Sequence, residues 1–237
     1  MGLNNESVVV VAGAGGGAGA AVVRALTATG ATVIAVDTTP ERAEQAAAVA
    51  VAPGKAVGAA VDLLDFEGTK KWAEGVRAEH GRVDGLVHLV GGWRGSKTFG
   101  GTDLADWDLL HKLLIQTTQH TSLAFADALA DSGDGRFALV SATAAAAPTE
   151  GNAAYGAAKA AAEAWTLALA DSFKKRDCGA AATIFVIKAL LTDALRAEKP
   201  DAKFTGYTHA DDLAAAVAGL WDAPAGDVNG ARIRLAP

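Results

Sequence analysis

Ser7-Val8-Val9-Val10-Val11-Ala12, followed by Gly13-Ala14-Gly15-Gly16-Gly17-Ala18-Gly19, is the stretch that decides the fold. An uncharged run rich in β-branched residues reads as a strand buried on both faces. The glycines after it permit a tight turn, and Ala18 to Thr29 then has the composition of a helix. Strand, glycine turn and helix in immediate succession make the first half of a strand-helix-strand unit.

Working outward, the same alternation recurs. Thr32 to Val36 is a second β-branched run ending at Asp37, and Pro40 opens an Ala/Glu-rich helical segment. Lys55 to Val61 reads as strand, Asp65 to His80 as helix, and Val83 to Val90 as a buried strand bounded by Gly91 and Gly92. Leu104 to Leu129 reads as one long helix, Arg136 to Ser141 as strand, Asn152 to Arg176 as a second long helix, and Ala181 to Ile187 as strand. A polar, irregular segment around Pro200 precedes a helix from about Asp211 to Trp221 and a last short strand, Ala231 to Leu235. No linker or repeat interrupts residues 1–237, so a single α/β domain is expected: a doubly wound, Rossmann-like parallel sheet covered by helices on both faces.

Composition narrows the partners. The chain is 51% hydrophobic and 20% charged, which suits a packed globular protein. Its formal charge of −6 and the lack of Lys/Arg runs disfavour nucleic acid and leave a small molecule as the expected partner. Cys178 is the only cysteine, so no internal disulfide forms. His80, His88, His111, His120 and His209 show no metal-ligand spacing, and no catalytic metal is expected. With no basic leader and no apolar run of membrane-spanning length, the expectation is a cytoplasmic protein without a membrane partner.

Lying between strand and helix, the turn from Gly13 to Gly19 lets backbone N–H groups at a helix N-terminus approach a pyrophosphate. A lysine that would mark a P-loop is missing from it. Asp37, at the end of the second strand about twenty residues on, stands where a carboxylate hydrogen-bonds an adenosine ribose. NAD(H) is therefore expected over NADP(H): the carboxylate repels a 2′-phosphate, and Thr38 and Thr39 supply no cation. A solvated strand-end aspartate is the alternative.

Gly13, Gly17 and Gly19, together with Tyr155-Gly156-Ala157-Ala158-Lys159, resemble the glycine pattern and Tyr-x-x-x-Lys motif of the short-chain dehydrogenases/reductases. The resemblance implies an oxidoreductase in which Tyr155 exchanges a proton with substrate and Lys159 holds the nicotinamide ribose. It also implies that Asp62 and Leu63 lie near the adenine, that Val90 and Gly91 end the segment following the fourth strand, and that Thr192 contacts the nicotinamide carboxamide, although Lys188-Ala189 replaces the usual Pro-Gly. Four-residue spacing puts Tyr155 and Lys159 on one helix face, where an ammonium favours the phenolate directly or through bound ribose. Val90-Gly91-Gly92-Trp93 and Gly151 to Lys159 further resemble the dihydropteridine reductases. As in related enzymes, the two long helices are expected to build a homodimer or homotetramer.

Two family positions depart. Ala142 occupies the place of the carbonyl-polarising serine, flanked by Ser141 and Thr143, which neighbour it on opposite faces of an extended strand. Leu114 falls near the asparagine of the usual proton relay. Trp93 is expected either to stack on a flat substrate or to pack in the protein. Three functions stay open: reduction of a quinonoid dihydropterin, which needs little carbonyl polarisation; oxidoreduction of an alcohol or carbonyl with Ser141 or Thr143 recruited; and a catalytically silent NAD-sensing protein.

Overall fold

The structure is a computed structural model that describes residues 2–235. The chain opens with β1 (Val8–Ala12), α1 (Gly19–Ala28), β2 (Thr32–Asp37), α2 (Pro40–Ala47), β3 (Lys55–Ala60), α3 (Phe66–His80) and β4 (Gly85–His88). It continues with α4 (Leu104–Leu110), α5 (Thr117–Asp131), β5 (Arg136–Ala142), α6 (Ala153–Arg176) and β6 (Ala181–Ile187). After β6 come β7 (Leu190–Leu191), α7 (Asp193–Glu198), β8 (Thr208–His209), α8 (Ala210–Ala218), α9 (Ala225–Val228) and β9 (Arg232–Arg234).

Among the described residues, seven strands form one parallel sheet in the order β3-β2-β1-β4-β5-β6-β9. Alternate residues of β1 serve opposite faces. Val9 and Val11 pack with Val22 and Leu26 of α1 and Leu213 and Val217 of α8, while Val8 and Val10 pack with Val76 of α3, Phe125 of α5 and Phe173 of α6. This two-sided burial makes the central strands continuous apolar runs. The strand order reverses at β1, whose neighbours are β2 and β4, and opens a crevice at the C-terminal strand ends.

Two boundaries differ from the sequence reading. The expected helix from Leu104 to Leu129 contains a π-helical turn, His111–Gln116, between α4 and α5. Thr117 and Thr118 donate their hydroxyls back to the carbonyls of Leu113 and Leu114, at 2.7 and 2.9 Å, which satisfies backbone groups where the helix widens. The strand expected from Val83 to Val90 shortens to β4, because the chain leaves the sheet after Leu89 N–H bonds the Ala12 carbonyl. The segment around Pro200 is irregular from 199 to 207 as expected, but it is flanked by order: α7 precedes it, and β7 pairs with β8 across it.

Arg136 anchors the far end of β5. Only 1% exposed, it donates to the carbonyls of Leu220, Gly135, Gly179 and Ala223 at 3.1–3.2 Å and pairs with Asp134 at 2.6 Å. One guanidinium thus ties β5 to the turn before β6 and to the segment after α8.

Candidate active site

At the C-terminal strand ends lies a cavity of about 1140 Å³. One wall is the glycine turn. Gly13 has φ 79°, and a side chain there would meet the Val90 backbone nitrogen at 2.8 Å, so both conformation and space require glycine. Gly16 and Gly17 line the cavity, and a Cβ on Gly17 would close on Leu190 and Thr192 at 3.2–3.3 Å. Gly19 is not a lining residue: a Cβ on it would overlap the Ala14 carbonyl, so its role is to seat α1 against the turn. The first turn of α1 has no acidic residue and no side-chain cap, leaving amide groups for an anion.

Asp37 lines the cavity at the end of β2, but it is not the lone carboxylate that the sequence reading supposed. Arg42, from the first turn of α2, reaches it with Nε at 2.6 Å, and Gly15 and Thr38 donate their backbone N–H groups at 2.8 Å. Burial raises its pKa, yet the hydrogen bonds from Arg42, Thr38 and Gly15 outweigh burial and hold the carboxyl below its ordinary value. A cation therefore sits at the position whose supposed lack of one argued against a 2′-phosphate. The available signal was Thr39, a cap residue before Pro40, which seats Arg42 in the first turn of α2 with its N–H reaching the Thr39 hydroxyl at 3.4 Å. Asp62 and Leu63 line the adjoining wall; the Asp62 carboxylate accepts Leu64 N–H at 2.9 Å.

Opposite stand Tyr155 and Lys159, one turn apart near the start of α6. Lys159 is 6% exposed and donates to the Val140 carbonyl at 2.7 Å; its ammonium lies 6.0 Å from the Tyr155 ring centroid. Burial lowers its pKa to about 8, against a raising effect of Glu163 one turn further on, which Arg232 holds at 2.8 and 3.1 Å. For Tyr155 the expectation of a phenol made more acidic by its lysine is corrected. Desolvation by burial raises the phenol pKa, and the Lys159 ammonium donates to the Val140 carbonyl.

Beneath them is His88, 1% exposed, with Nε2 3.1 Å from Thr117 Oγ1 and Nδ1 3.1 Å from Thr121 Oγ1. Burial first and the Lys159 charge second depress its pKa to about 3, so the imidazole is neutral. Leu114, at the position of the relay asparagine, is a buried residue of the π turn, while Thr117 lines the cavity.

Val90, Gly91, Trp93, Ser141 and Thr143 also line the cavity. Trp93 is 62% exposed, so its ring is presented rather than packed. Ala142 is buried and outside the lining, and Ser141 Oγ is buried with no hydrogen-bond partner among the described residues. Thr192 stands beside Gly17, where a Cβ would meet its methyl group at 3.3 Å. It lies outside the lining, and its hydroxyl accepts Leu195 N–H at 3.1 Å as the cap of α7. No cluster of metal-ligating side chains and no membrane-spanning helix occurs among the described residues.

A doubly wound sheet, a glycine turn at its switch point and a Tyr-x-x-x-Lys helix define one class of protein, and residues 7–198 match the short chain dehydrogenase family. The chain belongs to that family, a class of NAD(P)-dependent oxidoreductases.

Solved structures agree in fold. A short-chain type dehydrogenase/reductase from Mycobacterium ulcerans is 23% identical, with a TM-score of 0.87 over 99% of this chain and 90% of that one. The NADPH-bound short chain oxidoreductase from Pseudomonas aeruginosa PAO1, which contains an atypical catalytic center, is 23% identical, with a TM-score of 0.87 over 99% and 97%. An NAD+-bound xylitol dehydrogenase is 18% identical, with a TM-score of 0.84 over 98% of both chains. No curated protein matches the sequence.

Proposed function

We propose that the protein is an NAD(H)-preferring reductase of a small, flat, electron-poor substrate, with quinonoid dihydropterin as the specific candidate. The carrying observation is the cavity's two walls: a glycine cradle that side chains would fill, facing a tyrosine whose hydroxyl makes no hydrogen bond to a described residue. The residues fit a dinucleotide. Gly13, Gly16, Gly17 and the first turn of α1 would hold its phosphates, Asp37 the adenosine ribose, and Lys159 the nicotinamide ribose. When bound, the nicotinamide supplies a hydride.

Tyr155 supplies the proton. Its raised pKa keeps it protonated at neutral pH, which suits a donor in the direction of reduction. Ala142 offers no hydroxyl to polarise a carbonyl, which favours a substrate that is already electron-poor, and the exposed Trp93 ring offers a stacking face. Calorimetry with NADH, followed by turnover of quinonoid dihydropterin, tests the reading; binding without turnover above a Tyr155→Phe control removes the pterin.

One observation favours a second reading, an alcohol or carbonyl substrate. Thr143 lines the cavity one residue beyond the missing serine. Ketone reduction that survives Thr143→Ala unchanged excludes that residue from the role.

Arg42 bears on cofactor choice. Paired with Arg42, Asp37 repels a 2′-phosphate less than a lone carboxylate would, so the preference for NAD(H) is expected to be modest. Because Arg42 is half exposed, Arg42→Leu is expected to weaken NADP(H) relative to NAD(H) by about tenfold. Asp37→Ala is expected to shift the ratio the other way. Fluorescence titration of both cofactors measures each ratio, and unchanged ratios place the 2′-position away from this pair. We further propose that residues 1–237 act as a single domain within a homodimer or homotetramer, which light scattering checks.

A further inference from the structure

We propose that the reactive end of the cavity selects a substrate carrying a carboxylate or similar compact anion, recognised by Lys188 and Lys199. The inference rests on reading this cavity as the oxidoreductase site, and among flat, electron-poor substrates it favours those that carry an acid group, so a dihydropterin would fit best with an acidic side chain. Charge is segregated along its walls. Its lining carboxylates, Asp37 and Asp62, stand at the ends of β2 and β3, where Asp37 is already paired with Arg42. The other charged lining residues are Lys159, one turn from Tyr155, Lys188, just after β6, and Lys199, at the end of α7, and no further carboxylate lines the cavity among the described residues. In a chain of net charge −6, this end of the cavity has the opposite sign to the molecule and draws anions inward.

Lys188 follows β6 directly and is held rather than loose. Its ammonium donates to the Thr205 carbonyl at 3.0 Å, and its stem runs past Gly206, where a Cβ would meet Lys188 Cδ at 3.2 Å. Thr205 uses one of the three ammonium protons, leaving two for a ligand. Beside it, Tyr207 lines the cavity, its ring steadied edge-on by Phe204 at 5.4 Å.

Lys199 ends α7 one turn after Leu195, and both line the cavity, so this helix face offers an apolar surface followed by a cation. Its ion pair with Glu198 spans 3.8 Å between two largely exposed side chains, a weak and screened contact that a ligand carboxylate can replace. Apolar Leu190, Leu195 and Trp93 complete a lining suited to an aromatic or hydrocarbon acid.

The anion has a second source, the diphosphate of the dinucleotide, and the test separates the two. NADH-loaded protein is titrated calorimetrically with 2-naphthoate and, separately, with the isosteric neutral 2-naphthamide. The acid is expected to bind about tenfold more tightly than the amide, as two partly screened ion pairs allow. Lys188→Met and Lys199→Met should each lower that preference to about threefold, Lys188→Arg should keep it, and NADH affinity should hold within about twofold in all three.

Equal binding of acid and amide by the unaltered protein overturns the proposal. So does a Lys188→Met variant that loses NADH affinity while its acid preference persists, which assigns the lysine to the dinucleotide phosphates. If NADH itself fails to bind, the oxidoreductase reading falls, and the acid-against-amide comparison on unloaded protein still decides whether the lysines form an anion site.

Discussion

Tyr155→Phe is expected to lower kcat for reduction by about 10³-fold while leaving the affinity for NADH within about twofold, since general acid catalysis contributes 10²–10⁴ and the ring is retained. The geometry explains the asymmetry. Tyr155 stands across the cavity from the glycine turn and makes no hydrogen bond to a described residue, so removing its oxygen leaves no protein partner unsatisfied. Stopped-flow turnover with NADH titration checks both halves, and a variant retaining a third of the activity would falsify the role of the phenol.

The pH profile carries an independent signature. Burial raises the Tyr155 pKa above 10, so the phenol remains a proton donor throughout the neutral range. Lys159 is lowered to about 8; its ammonium is intact below that pH and lost above it. For reduction, kcat/KM is therefore expected to be level below pH 8 and to fall about tenfold per pH unit above it, as loss of one proton from the free enzyme requires. In Lys159→Met this limb should vanish along with most of the activity. A limb that persists in that variant belongs to another group.

The largest effect on stability is expected far from the chemistry. Arg136→Met should destabilise the fold by about 3–5 kcal/mol, because it leaves several buried carbonyls without donors at once. Those of Leu220, Gly179 and Ala223 belong to segments that the guanidinium holds against the start of β5. For a chain of this size the loss corresponds to roughly 10 °C in Tm. Arg136→Lys, which keeps the charge but not the fork of donors, should fall between the two. Thermal unfolding followed by circular dichroism reads all three proteins, and a shift below about 2 °C for Arg136→Met would mean that water replaces the guanidinium.

How far the sequence alone reaches can be seen at individual residues. Val8 to Ala12 is apolar at every position, which is possible only for a strand covered on both faces, and that determined a parallel sheet before any coordinate. Gly13 and Gly19 were legible because positive φ and backbone overlap leave no other residue there. Tyr155 and Lys159 were legible because helical spacing is local, and so was the exclusion of a side-chain hydroxyl at Ala142.

Tertiary structure alone decided what each of these groups feels. Arg42 neutralises Asp37 across a strand-to-helix turn, Val140 takes the Lys159 ammonium from a neighbouring strand, and burial makes Tyr155 a weaker acid than its lysine neighbour implied. Thr192 became a helix cap, and Lys188, just after β6, and Lys199, at the end of α7, came to line the same cavity. The physical reason is range: backbone conformation and apolar periodicity are set within a few residues, whereas charge and desolvation act through space and depend on which distant segments fold against one another.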